Sequence, residues 1–188
     1  MSEVPESQYI SPEQYLLDEQ NRPEGEKYEY VNGRIYAMAW ASRNHNRVSM
    51  RFALRIGLHL EDSPCEVFQS DMKVGFPAQE DDTRYYHPDL QVSCEDEDEA
   101  YYNRSPCLII EVLSESTAKT DRTEKLLSYQ RIPSLQEYVL CSQDSAHIEV
   151  YRRRADWCVE LFTAGQQFTL ESVELDVAVD DIYRFLRD

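Results

Sequence analysis

Two acidic residues stand out because their surroundings make an unpaired charge unfavourable. Glu111 lies inside the apolar run from Cys107 to Leu113, and Asp89 precedes it by 22 residues, directly after Pro88. A run this apolar and β-branched is typical of a strand buried on both faces, where a lone ionised carboxylate is costly unless a partner compensates it. Glu111 therefore needs a partner, which a metal ion shared with Asp89 or a nearby lysine would supply.

The spacing around Asp89 suits a metal ligand. Leu90 and Val92 share one face of a predicted strand, so Asp89 can project from the strand that Pro88 starts. Magnesium commonly takes one or two carboxylates and completes its octahedron with water and substrate phosphate. Asp89 and Glu111 on adjacent strands therefore predict a Mg²⁺ or Mn²⁺ site, which would polarise a scissile phosphate and generate hydroxide.

A lysine follows the Glu111 strand. Leu113, two residues after Glu111 on the same face, cannot donate to a phosphate, but Lys125 comes within a predicted helix that Asp121 could cap. A positive group near the carboxyl end of the strand could orient an attacking water or stabilise the charge that develops on the phosphate. The alternative is a surface lysine paired with Asp121 four residues earlier.

The surrounding pattern predicts an α/β (α+β) domain built on a mixed sheet flanked by helices. Ser11 and Pro12 begin a helix over residues 11–20, and Asn32-Gly33 marks a two-residue hairpin turn within residues 28–38. Helices are also expected at 43–60 and 120–131. The further predicted strands are 65–75, 86–93, 107–114, 136–142, 147–153 and 157–163. We expect one domain over residues 1–188, with a core at about 8–165 and an acidic C-terminal tail at 166–188.

The second predicted helix has one basic side. Arg43, Arg47, Arg51 and Arg55 repeat every four residues and form a stripe opposite apolar positions that include Val48 and Phe52. The stripe is either an ordinary solvated helix face or a track that binds nucleic-acid phosphates. His45 falls near the apolar side, where a buried, hydrogen-bonded histidine is expected more often than a catalytic base.

Composition limits the class of protein. The net charge is −17, which argues against general affinity for nucleic acid, because neutralisation of phosphates by Lys and Arg supplies most non-specific binding. No window approaches the roughly 20 apolar residues that span a membrane. The five cysteines form no CxxC pair, so we expect reduced core thiols in a cytoplasmic protein.

Several strings of residues together resemble a known family. They are Lys27-Tyr28-Glu29-Tyr30-Val31-Asn32-Gly33, His45-Asn46, Ser70-Asp71-Met72-Lys73-Val74, Tyr86-His87-Pro88-Asp89, Ile110-Glu111-Val112-Leu113-Ser114, Thr117, Asp121-Arg122, Lys125-Leu126, Tyr129 and Ile132-Pro133-Ser134-Leu135-Gln136-Glu137-Tyr138. This set resembles the Uma-two family of restriction-endonuclease-like proteins, within the PD-(D/E)XK nuclease superfamily, over about residues 8–165. Lys125 has the position that the lysine takes in the variant of this superfamily in which it lies on the helix after the strand.

The resemblance implies a metal-dependent nuclease core. It assigns Asp89 and Glu111 as metal ligands, Lys125 as the migrated lysine and Glu29 as an auxiliary acid, although Glu29 could simply be a surface acid of the hairpin. One position departs from the family pattern, since Glu115 stands where the family commonly has proline and adds a negative charge beside the proposed site.

The predicted function is Mg²⁺- or Mn²⁺-dependent hydrolysis of phosphodiester bonds in DNA. A nuclease that acts on RNA with the same chemistry is a further alternative. The main alternative is a catalytically silent binding module of the same fold, in which the carboxylates are paired structurally and the surface serves a protein partner or a homodimer. A homodimer is also expected for a nuclease that cuts both strands about a two-fold axis.

Overall fold

A computed structural model of the protein describes residues 2–3, 9–23, 26–76 and 82–186. Residues 4–8 of the polar N-terminal segment, together with Glu80 and Asp81 of the acid-rich stretch, lie outside the described residues. The helices are α1 (Pro12–Asn21), α2 (Arg43–His59), α3 (Ala118–Thr120), α4 (Leu126–Tyr129) and α5 (Val179–Ile182), with a π-helical turn at Asp121–Lys125 and 3₁₀ turns at Arg153–Ala155, Glu171–Val173 and Arg184–Leu186. None of the helices in these ranges is long and apolar enough to cross a membrane.

The strands form two six-stranded sheets and one hairpin. The first sheet has the order β1 (Ser2–Glu3), β3 (Arg34–Ala37), β2 (Tyr28–Val31), β6 (Arg84–Tyr86), β5 (Lys73–Gly75) and β8 (Tyr102–Asn103). The second sheet has the order β12 (Val159–Thr163), β11 (His147–Arg152), β10 (Glu137–Ser142), β9 (Pro106–Leu113), β7 (Leu90–Ser93) and β4 (Glu66–Gln69), and the hairpin is β13 (Gln167–Leu170) with β14 (Leu175–Ala178). The predicted mixed α+β class is confirmed, because β9 pairs with β10 in parallel and with β7 antiparallel.

Local signals set the predicted helix starts and the hairpin. The Ser11 side chain accepts a hydrogen bond from the Gln14 backbone N–H, which caps α1, and Ser42 caps α2 in the same way through His45. Asn32 and Gly33 both have positive φ, at 46° and 87°, as a two-residue hairpin turn requires. The predicted strands 65–75 and 86–93 each fall in two sheets, because a turn at 70–72 and a short loop at 87–89 pass the chain from one sheet to the other.

Strand β9 is buried over its whole length, as the apolar run predicts. Leu108, Ile110 and Val112 pack into a core that α2 covers, whereas Ile109 and Leu113 pack into a second core on the opposite face. Because successive side chains of a strand point to opposite faces, Glu111 lies on the side of Ile109 and Leu113. Strand β9, which carries the proposed ligand Glu111, therefore lies buried between the two cores.

The expected limit of the core at residue 165 is too early. Residues of the acidic tail belong to the core that α2 covers, among them Phe168, Leu170, Val177 and Ile182. The tail folds into the β13–β14 hairpin and α5, because polar residues alternate with the apolar residues of the strands and leave one face to bury.

The expectation of five reduced core thiols is wrong. Cys65 and Cys94 form a disulfide, and Cys158 is exposed rather than in the core. Strand β4 pairs antiparallel with β7, with Glu66 opposite Ser93, so the residues just outside that pair face each other. Cys107 and Cys141 are free and buried, as expected. The long-range pairing of β4 with β7 brings together two cysteines that are 29 residues apart in sequence.

Candidate active site

Glu111 has the lysine partner that its setting requires. It is buried, with 4% of its surface exposed, and its Oε1 accepts hydrogen bonds from Lys125 Nζ at 3.0 Å and from the Tyr129 hydroxyl at 3.2 Å. Both donors come from the helical segment that follows β9 and packs on the side of Glu111. The prediction that this carboxylate needs a compensating group is therefore confirmed, with the lysine in that role.

Lys125 is the centre of a buried charge cluster. Its Nζ lies 2.8 Å from Glu29 Oε1, 3.0 Å from Glu111 Oε1 and 3.6 Å from Asp121 Oδ1. It is 5% exposed, so the alternative of a surface lysine is wrong. Asp121 does not cap the helix as expected, because the helical segment already begins at Ala118 and Asp121 is buried within it. The π-helical turn that holds Asp121 and Lys125 belongs to a class often found at functional sites.

Glu29 reaches the cluster from the first sheet. It lies on β2 and is 2% exposed, which excludes the alternative of a surface acid on the hairpin. Its Oε1 also accepts a hydrogen bond from the His87 backbone N–H at 3.2 Å. Glu29 and Glu111, which come from different sheets, therefore meet at Lys125.

Asp89 lies at the edge where β7 begins. Its Oδ2 accepts a hydrogen bond from the Val112 backbone N–H at 2.7 Å, and its Oδ1 lies 2.8 Å from His45 Nε2. Leu90 is opposite Ile110 in the ladder, so Asp89 comes one residue beyond the last pair and next to Glu111. The backbone of β9 thus fixes the orientation of the Asp89 carboxylate.

A cavity of about 960 Å³ joins these residues, and Glu29, Asp89, Glu111 and Lys125 all lie in its wall. The structure therefore brings together the four residues that the sequence singled out. The same wall contains three residues that sequence reasoning missed or placed elsewhere, namely His45, His87 and Asp121. His45 was expected in the core. His45 lies in the first turn of α2, close to the apolar side of the helix. The core does not reach this turn, so the His45 side chain lines the cavity instead.

The electrostatics of the cluster disfavour full ionisation of its acids. Burial raises the pKa of Glu111 well above its usual range, and the neighbouring Asp121, Asp89 and Glu29 raise it further against the opposing effect of Lys125. Burial likewise raises the pKa of Asp121. Burial alone would lower the pKa of Lys125, but Glu111, Glu29 and Asp121 outweigh it and the net pKa is raised, so the ammonium is charged at neutral pH. One ammonium among several acids leaves a site that favours a further cation.

The donor chemistry fits a divalent metal in an open site. Asp121 Oδ1 is buried without a hydrogen-bond partner, and Asp89 and Glu111 offer hard carboxylate oxygens at the cavity. Within the described ranges, no three His, Cys, Asp or Glu side chains are arranged to hold an ion by themselves. The residues therefore fit a site in which two carboxylates bind the ion and water and substrate complete its coordination, as is common for Mg²⁺.

The arginine stripe of α2 does not face this cavity, whose wall α2 enters through Ser42, His45, Asn46 and Ser49. Instead, the arginines approach the C-terminal segment. Arg55 forms an ion pair with Asp181, Arg51 donates to the Asp181 backbone carbonyl, and the Arg47 guanidinium lies 5.3 Å from the Phe185 ring centre. These contacts favour the interpretation of the stripe as an ordinary helix face.

Comparison with known proteins gives the class and then the family. A crystal structure described as "a putative nuclease belonging to DUF820", from Anabaena variabilis ATCC 29413, matches with a TM-score of 0.72 and 20% identity, over 91% of this chain and 98% of that chain. The protein thus shares the fold of a nuclease-like domain. A family model for Uma2, described as "Putative restriction endonuclease", matches residues 12–180.

Two relatives come from Synechocystis sp. (strain ATCC 27184 / PCC 6803 / Kazusa). "Uncharacterized protein slr1290" is 38% identical over 94% of this chain and 93% of its own length. "Uncharacterized protein sll1609" is 33% identical over 83% of this chain and 88% of its own. The chain belongs to the Uma2 family, which confirms the resemblance drawn from its motifs. The family match continues past residue 165, in agreement with the packing of the C-terminal segment.

Proposed function

We propose that this protein is a Mg²⁺- or Mn²⁺-dependent endonuclease that hydrolyses phosphodiester bonds in DNA, with RNA as the alternative substrate. The observation that supports it is the buried Lys125 ammonium, 3.0 Å from Glu111 and in the wall of a cavity that also contains Asp89. Two carboxylates and one ammonium at an open cavity supply the charges that phosphoryl hydrolysis needs, since the anionic substrate must be bound and its developing charge stabilised.

In this proposal each side chain has a role that its contacts support. Asp89 and Glu111 would hold the ion, which supplies a Lewis acid for the phosphate and lowers the pKa of a water. Lys125 orients the attacking water or stabilises charge on a non-bridging oxygen. Glu29 positions Lys125 through their 2.8 Å contact, and His45 and the Val112 N–H keep Asp89 in place.

Binding of DNA by so acidic a chain needs additional basic surface. Arg51 and Arg55 already bind Asp181, so the members of the stripe that we propose for phosphate contacts are Arg43 and Arg47, which are exposed at the start of α2, although the Arg47 guanidinium also lies near the Phe185 ring. We also propose a homodimer, in which the second subunit extends this surface. Charge reversal at Arg43 and Arg47 would test the contacts, with the salt dependence of DNA binding as the measurement.

A panel of plasmid, linear duplex, single-stranded DNA and single-stranded RNA at low salt tests the function. Each substrate is incubated with Mg²⁺ or Mn²⁺ and with wild type, Asp89→Asn, Glu111→Gln or the control Glu149→Gln. Glu149 is buried and paired with Arg122, outside the cavity wall, so its variant reports the effect of neutralising a buried acid elsewhere. We expect metal-dependent cutting by wild type and the control, and loss of cutting in the other two. Equal activity in all four proteins would contradict the proposed ligands.

A catalytically silent binding module remains the second candidate, because the same acids already have protein partners. The Asp89 carboxylate is hydrogen-bonded to His45 and to the Val112 backbone N–H. The Glu111 carboxylate is hydrogen-bonded to Lys125 and Tyr129. Titration calorimetry with Mn²⁺ separates the two candidates. The nuclease predicts binding by wild type and its loss in Glu111→Gln, whose fold stays intact because an incompletely compensated buried charge is removed. A wild type that binds no Mn²⁺ would support the binding module.

A further inference from the structure

Trp40 is an unusually exposed aromatic residue at the cavity. With 88% of its surface exposed, it is the most exposed of the large hydrophobic side chains in the described part of the chain. It lies in the cavity wall between Ala39 and Ala41, whose small side chains leave the faces of the indole open. Asp89, Glu111 and Lys125 line the same cavity.

The short segment that carries Trp40 is held at both ends. On one side the Met38 backbone N–H donates to the Lys27 carbonyl at 3.0 Å. On the other side Ser42 caps α2 through His45 and donates its hydroxyl to Gln143 Oε1 at 2.7 Å. Only three residues span the distance between these anchors. The indole is therefore presented at the rim by a fixed piece of backbone, which lowers the entropy lost when a planar group stacks on it.

The charges of the wall indicate which form of nucleic acid can enter. Six acidic side chains line the cavity, namely Glu26, Glu29, Asp89, Glu111, Glu115 and Asp121. The lysines of the wall are Lys27 and Lys125, and both already form ion pairs, Lys27 with Asp71 and Lys125 with the acids of the cluster. Duplex DNA is bound mainly through its phosphates, which this wall disfavours. A single strand can instead bind through its bases, which stack on aromatic side chains with little dependence on sequence.

We propose that Trp40 is a stacking platform for an unpaired base, so that the substrate class of this site is single-stranded or locally unpaired nucleic acid. The inference rests on the proposed function, because it supplies the substrate for the same metal-dependent site. Stacking would hold one base at the wall of the cavity that also contains Asp89 and Glu111. A base within a duplex is covered on both faces by its neighbours and must first leave the stack.

Fluorescence anisotropy of a dye-labelled deoxythymidine oligonucleotide of about 12 nucleotides tests this inference for wild type and variants alike, and the emission of Trp40 is a second signal in wild type. The titration uses Ca²⁺, which takes the same kind of oxygen ligands as Mg²⁺, and a gel records any cleavage. Binding should quench the emission of Trp40. The other tryptophan, Trp157, lies against Arg153 and outside the cavity wall, so its emission is a constant background.

We expect Trp40→Ala to weaken binding of the oligonucleotide by about 5- to 150-fold, since stacking on an aromatic side chain is worth about 1–3 kcal/mol per base. Trp40→Phe should recover most of that affinity. The control Tyr101→Ala, which removes an exposed ring outside the cavity, should bind like wild type. An unlabelled duplex of the same length should compete poorly against wild type. The same oligonucleotide made of RNA shows whether the sugar matters.

The outcomes separate this inference from the proposed function. No binding of the single strand, or equal affinity of wild type and Trp40→Ala, would overturn the inference even if the protein cleaves DNA. Equal losses in Trp40→Ala and Tyr101→Ala would also overturn it, because the effect would then be general. Trp40-dependent binding without cleavage in Mg²⁺ or Mn²⁺ would support the platform and contradict the nuclease.

Discussion

Replacing Lys125 with methionine should destabilise the protein strongly. The ammonium lies 2.8, 3.0 and 3.6 Å from oxygens of Glu29, Glu111 and Asp121, all of them buried. At an effective dielectric constant of about 20, each contact is a gross attraction of about 5 kcal/mol. Desolvation and repulsion among the acids offset most of this sum. Removing one partner of a buried ion pair has a net cost of about 3–5 kcal/mol, which is the loss we expect.

Urea unfolding followed by circular dichroism at pH 7 measures this loss, with Lys119→Met as the control because Lys119 is an exposed lysine of the same helical segment. The folded-state pKa of Lys125 is raised, so as far as the titration of Lys125 itself is concerned, its contribution is fully present below the unfolded pKa and is lost as the pH rises through the folded value. The difference between wild type and Lys125→Met should also shrink at acidic pH, where the carboxylates gain protons. A loss no larger than that of the control would refute the account of the cluster.

Two further predictions concern stability outside the cavity. Cys65→Ser should lower the free energy of unfolding by about 3–4 kcal/mol, as expected for a disulfide that closes a loop of this length, and reductant should lower wild type equally; an unchanged urea midpoint would contradict the disulfide. Burial opposes the ionisation of Asp82, but Arg84 and Arg131 lower its pKa to about 2. The stability it contributes is present above the unfolded pKa and is lost as the pH falls through the folded value. Asp82→Asn should therefore cost about 1 kcal/mol at pH 7 after allowance for solvent screening, and only a small part of that at pH 2. Equal differences in urea midpoint at the two pH values would contradict it.

Much of the site follows from local physical rules. A carboxylate in an apolar strand must be compensated, and that requirement points from Glu111 to Asp89 and Lys125 as partners. The start of α2 and the Asn32-Gly33 turn likewise depend on residues that are neighbours in sequence. These features need no knowledge of the rest of the chain.

The features that sequence reasoning missed depend on contacts between distant segments. The Cys65–Cys94 disulfide needs the pairing of β4 with β7, and the arginines of α2 find Asp181 about 130 residues away. The acidic residues 166–188 lie outside the predicted core, yet their alternating apolar residues pack onto the core through the β13–β14 hairpin. His45 contacts Asp89 because the first turn of α2 lies at the cavity and not in the core. The periodicity of apolar residues within α2 does not show where the core stops along the helix.

The most direct test of the proposed function is the rate of plasmid nicking at low salt in Mn²⁺, measured for wild type, Asp89→Asn and Glu111→Gln, with chelator as the metal-free control. Low salt matters because weak contacts to phosphate are easily screened. We predict nicking by wild type that the chelator abolishes and that both variants lose by about 100-fold or more, the range found when a group that stabilises transition-state charge is removed. Nicking at equal rates by all three proteins, or no cleavage of plasmid, single-stranded DNA or single-stranded RNA by wild type while Mn²⁺ binds, would contradict the assignment of this cavity as a metal-dependent nuclease site.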